Sequence, residues 1–67
     1  MPRPTTIRRG PLRNLVEELG GVLAAAVLFR VDRRTLLRWG CGETVPSDED
    51  QRRVNQIARR RGMREPF

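Results

Sequence analysis

The side chains best equipped for chemistry in this sequence are its arginines, above all Arg33, Arg34 and Arg38, which follow closely behind Asp32. All 14 basic residues are arginine, and against 8 acidic ones they leave a formal charge of +6. A guanidinium offers a planar fork of donors that fits phosphates and the edge of guanine. A GC-rich genome also favours arginine, but that bias alone does not produce so large an excess over acids. A small basic chain of this kind points to a polyanionic partner. The tools of catalysis are scarce: there is no His, Cys41 is the only cysteine and Ser47 the only serine. Without His the commonest general base near neutral pH is gone, and nothing assembles a nucleophile, a base and an orienting group. The expectation is that this is not an enzyme. One Cys without His also excludes an internal disulfide and a structural zinc site of four Cys/His ligands, so no metal or cofactor is expected.

The elements that must hold these arginines are helical. Residues 1–11 contain Pro2, Pro4, Gly10 and Pro11 among Arg3, Arg8 and Arg9, which opposes a helix and predicts a flexible basic arm. Leu12, Leu15, Val16 and Leu19 recur at the spacing of one helix face, stopped by Gly20. Val22–Phe29 is apolar nearly all round, the pattern of a helix buried on more than one side. Asp32 fits an N-cap for a helix over 33–39, with Gly40 and Gly42 as its stop. After the loop Glu43–Pro46, Ser47 and Asp50 have the spacing of a capping box with Asp in place of Glu or Gln. Asp48, Glu49 and Asp50 put negative charge at the start of that fourth helix, which runs to about Arg61 with Val54, Ile57 and Ala58 inward. Gly62 ends it, leaving 63–67 as a loose tail. The predicted fold is an all-α, compact four-helix bundle over 12–62, and a 67-residue chain allows no more than one domain. Val22–Phe29 is too short to cross a membrane and Arg30 ends it. No signal-peptide core follows the N-terminal arginines, so a cytoplasmic location is expected.

Two short helices joined by a tight turn, the second rich in arginine, describe a helix-turn-helix. Ala26 gives the small side chain that lets the two helices cross, Val31 points inward from the turn, and Leu36 with Trp39 forms the inner face of the second. Trp39 is therefore a core anchor and Cys41 a passive small residue near a turn. Leu19 to Ser47, LGGVLAAAVLFRVDRRTLLRWGCGETVPS, resembles the helix-turn-helix of phage Cro and CI repressors and their small antitoxin relatives. The likeness is carried by Gly20-Gly21 and the alanine of the following helix. It continues in Val31-Asp32-Arg33-Arg34-Thr35-Leu36, Arg38-Trp39, and then Gly42 and Pro46 ahead of the capped fourth helix.

The resemblance implies a recognition helix in the major groove of double-stranded DNA. Arg33, Arg34 and Arg38 would touch bases or phosphates, with Thr35 and the outward Leu37 beside them. The start of the preceding helix and the loop near Glu43-Thr44 would face the backbone. Apart from the resemblance, a basic arm carrying Arg8 and Arg9 either enters a minor groove, lies along phosphates or plays no part. Arg59-Arg60-Arg61 either grips phosphates or merely answers the helix dipole. Single modules of this kind read paired half-sites as dimers, so a homodimer is expected at least on DNA. The chain departs from the family at Arg30, where a glycine of positive φ is usual, and at Val22, where a polar residue is usual. Phe29-Arg30-Val31-Asp32 is also similar to compact MerR-like regulators and phage excisionases, although the acidic-then-basic tail reads as helix rather than as their wing. A sequence-specific transcriptional regulator of the repressor or antitoxin kind is the function this implies. An excisionase-like or architectural DNA-binding factor is the alternative, and so is an adaptor that binds a protein through the apolar helix 22–29. RNA fits less well, because Phe29, Trp39 and Phe67 are the only aromatics and stacking platforms need more.

Overall fold

The computed structural model describes residues 7–67, and among these the chain is all helical: α1 (Pro11–Glu18), α2 (Val22–Phe29), α3 (Arg33–Cys41) and α4 (Asp48–Arg60). Pro11 opens α1 at a position whose N–H has no helical partner in any case. Ser47 caps α4, its Oγ accepting from the Asp50 N–H at 3.2 Å. The Asp50 carboxylate turns instead to Arg53, so only half of the capping box forms. Asp32 has the extended backbone of an N-cap, but its carboxylate takes no amide of α3. It accepts from the Thr35 hydroxyl at 3.3 Å, a correction to the expected cap.

All four helices end in one way. An N–H just past each helix reaches back five residues to a carbonyl: Gly21 to Val16, Val31 to Ala26, Glu43 to Arg38 and Met63 to Ala58, at 2.9–3.0 Å. This closure needs a left-handed residue at its corner. Glycine supplies it at Gly20, Gly42 and Gly62, whereas α2 uses Arg30 at φ 60°, ψ 42°. The turn is thus the one that the missing glycine would have made, held at a strain of about 1–2 kcal/mol for an L-residue. Gly40, expected to stop α3, lies inside it, and Gly42 is the stop.

The core is built from Leu15, Val16 and Leu19 of the first helix and its end, Ala25, Ala26 and Phe29 of α2, Leu36 and Trp39 of α3, and Val54 and Ala58 of α4. Phe29 is wholly buried and is the largest side chain so placed. The alanines let α2 pack closely, and Val31 covers the core from the turn as expected. Arg53 fastens α4 to the end of α2: its guanidinium donates to the Phe29 carbonyl at 3.4 Å and to Asp50 at 3.1 Å.

Both chain ends differ from expectation where they are described. The arm predicted over 1–11 lies outside the described residues up to residue 6. From Ile7 it is docked, with the Ile7 side chain buried in the core and the Arg8 N–H bonded to the Gly40 carbonyl at 3.0 Å. The tail 63–67 is not loose. Asn55 clamps the main chain of Phe67, donating to its carbonyl at 2.8 Å and accepting from its N–H at 3.0 Å. Arg59 donates twice to Glu65, and the Phe67 ring meets Trp39 edge-on at 6.2 Å. No helix among the described residues is long and apolar enough to cross a membrane.

Candidate nucleic-acid interface

The tight turn between α2 and α3 sets the face that α3 presents. Leu36, Trp39 and Gly40 are buried, and at 100° per residue the opposite side of the helix carries Arg34 and Arg38, one turn apart, with Cys41 beyond them. Arg33, Arg34 and Arg38 are all exposed. The helix has nine residues, about 13 Å at 1.5 Å per residue, enough to cross a major groove about 12 Å wide.

Three expected members do not join this face. Arg33 stands 100° round from Arg34 on the side of Leu37, though it is exposed at the helix start. Leu37 is half-buried and packs against the core on the flank of α3. Its burial follows from helical geometry, since it stands one residue from Leu36 at the edge of the inner face. Thr35 is half-buried on the opposite flank, its hydroxyl committed to Asp32. Thr44 is exposed in the loop just past α3, its N–H directed at the Arg38 carbonyl. Cys41 is half-exposed and its thiol donates to the Arg38 carbonyl at 3.5 Å.

The charges are unevenly spent. Glu17, Glu18, Glu43, Glu49, Asp50 and Glu65 are each within 4 Å of an arginine. Arg38 shares Glu43 at only 3.9 Å, with both side chains well exposed, a contact worth little in water. Arg8, Arg9, Arg30, Arg33, Arg34, Arg52, Arg60 and Arg64 have no carboxylate so near among the described residues, and all eight are exposed. Arg33 and Arg34 occupy the first turn of α3, which contains no acidic residue. The positive end of the helix dipole opposes cations there by about 0.3–1 kcal/mol each. Fold stability is therefore no reason for these two arginines.

The far end of α3 is held by contacts that local sequence does not reveal. A Cβ built on Gly40 would lie 2.6–2.9 Å from Ile7 side-chain atoms, and one on Gly42 would lie 2.9 Å from the Arg8 guanidinium. Gly40 is thus the socket for Ile7, and this anchor sets Arg8 against the C-terminal end of α3, where the dipole favours a cation. Gly40→Ala should lower stability by about 0.5–2 kcal/mol: expelling Ile7 forfeits about 1.5–3 kcal/mol of burial, against about 1 kcal/mol gained in helix propensity. In an Ile7→Gly background the same change should stabilise. A denaturation double-mutant cycle reads both signs, and equal losses in the two backgrounds would reject the socket.

Ile7 and Arg53 were not singled out from sequence. The signal for Arg53 was half visible in its spacing from Glu49 and Asp50, but its third partner, the Phe29 carbonyl, lies 24 residues away. Arg59 of the Arg59-Arg60-Arg61 cluster is taken up by Glu65 and Arg61 faces Glu18 at 3.9 Å, which fits a structural role for both. No protein-family model, curated protein or solved structure matches the chain.

Proposed function

We propose that this chain is a sequence-specific double-stranded-DNA-binding regulator that lays α3 in the major groove and performs no catalysis. The observation that carries the reading is the placement of Arg33 and Arg34, exposed and without acidic partners, in a helix turn whose dipole disfavours them. Arg34 and Arg38 project from the outer face as candidate base readers, and Arg33, on the Leu37 flank of the first turn, is a third. Arg8, Arg9 and Thr44 flank the helix and are suited to phosphates. The start of α2, whose Gly21 cap contributes no side chain, offers free amides to a further phosphate. Specific sites would be read by a homodimer on paired half-sites.

Selection from a random duplex pool at near-physiological salt tests the proposal. An enriched inverted repeat with half-sites about one helical turn apart is the expected result. Direct repeats would indicate a tandem, excisionase-like mode instead. Salt-sensitive binding without enrichment would reduce the protein to an architectural role, and absence of binding would end the DNA reading.

A further inference from the structure

The outer surfaces of three helices are charged or polar, as water requires: Asn14, Glu17 and Glu18 on α1, Arg33, Arg34 and Arg38 on α3, and Asp48, Glu49, Arg52 and Gln56 among others on α4. Helix α2 is the exception. Its sequence VLAAAVLF contains no polar side chain, and burying Ala25, Ala26 and Phe29 uses only one side of it. On the other, Leu23, Val27 and Leu28 are 68%, 76% and 45% exposed. Leu23 and Val27 stand one turn apart and so form a continuous stripe, with the small Ala24 beside them. Three residues past Val27, the left-handed cap places the exposed Arg30 at the end of the stripe, with no carboxylate within 4 Å among the described residues.

We propose that this face is a docking surface for an acidic amphipathic helix of a partner protein, whose apolar residues cover Leu23, Val27 and Leu28 while a carboxylate pairs with Arg30. Charge complementarity selects that occupant. Arg30 has no carboxylate within 4 Å among the described residues and the chain carries +6, so an acidic partner is drawn to this face. Area weighs against a stable dimer formed through this face. One face of an eight-residue helix is about 12 Å long and 10 Å across, far short of the roughly 600 Å² per partner in the smallest stable interfaces. A contact of this size is transient, and electrostatic attraction raises its encounter rate. The inference stands apart from the base-reading face of α3, to which none of these residues belongs, although Leu23 adjoins the α2 amides offered to a phosphate.

The test is an amide NMR titration of the full chain with a synthetic amphipathic helix of about 18 residues. One version has leucines along one face and glutamates elsewhere, and a control has lysine at every glutamate. The glutamate peptide should bind saturably and perturb Leu23, Val27, Leu28 and Arg30. Val27→Ser should weaken it by about tenfold. Arg30→Gly, which keeps the left-handed turn and removes the guanidinium, should weaken it by about threefold. The lysine peptide should bind at least about tenfold more weakly, and Val27→Ser should leave DNA affinity unchanged. Equal binding of the two peptides, perturbations confined to Arg33 and Arg34, or no saturable binding would each overturn the proposal. Concentration-dependent broadening of the α2 amides without peptide, abolished by Val27→Ser, would also overturn it by assigning the face to a second copy.

Discussion

Trp39→Ala is expected to abolish cooperative folding. Trp39 is only 7% exposed and sits where three parts of the chain meet. It belongs to the core cluster with Leu36 and Phe29, its carbonyl receives the Gly42 N–H at 3.2 Å, and its ring receives the edge contact of Phe67. Truncating a buried Trp costs about 3–5 kcal/mol. At about 0.05–0.15 kcal/mol per residue, the total stability of a chain of 67 residues is only about 3–10 kcal/mol. The loss is therefore comparable with everything that holds the domain together. Thermal melts followed by circular dichroism should show no cooperative transition for Trp39→Ala and a retained one for Trp39→Phe, which keeps most of the apolar volume. A Trp39→Ala protein melting within a few degrees of the parent would remove Trp39 from the core.

That Trp39 belongs inside was legible in the sequence, because Leu36 and Trp39 share one helical face and the period alone places them together. The same logic gave α2 to the residue and the start of α4 at Ser47, where the cap announces itself locally. It failed where the partner is remote. Gly40 looks like a stop signal until Ile7, 33 positions earlier, is found to fill the space where its side chain would be. The tail looked loose because Asn55, which holds Phe67 from a distance of 12 residues, is an ordinary polar residue in a helical pattern. Leu37 was misplaced for a different reason. On a nine-residue helix the boundary between inner and outer faces is decided by how the neighbouring helices pack, and periodicity resolves it only to about one residue. The arginines of the candidate site were legible as a set. What the fold added is which carboxylates neutralise some of them, and which arginines are left over.

Those left over on α3 lead to the second large effect. Replacing Arg33 and Arg34 together by alanine should abolish sequence-specific DNA binding and leave the fold as stable as before, or slightly more so. A base-reading arginine contributes about 1–3 kcal/mol, so two would lower affinity for the selected site by about 30-fold to 10⁴-fold if their effects add. Stability should move the other way: both side chains are exposed and make no ion pair among the described residues, and both oppose the dipole at the start of α3. Binding measured by fluorescence anisotropy on specific and scrambled duplexes, beside a denaturation curve, separates the two quantities. Arg8→Ala is the control, since a phosphate contact should weaken both duplexes alike and flatten the salt dependence by about one charge. If the Arg33/Arg34 variant also loses affinity equally on both duplexes, these residues hold the backbone and Arg38 becomes the reader to test. If it binds as the parent does, α3 is not the recognition helix. The opposed signs give the experiment its force, because a loss of binding that comes with unchanged or higher stability cannot be ascribed to a damaged fold.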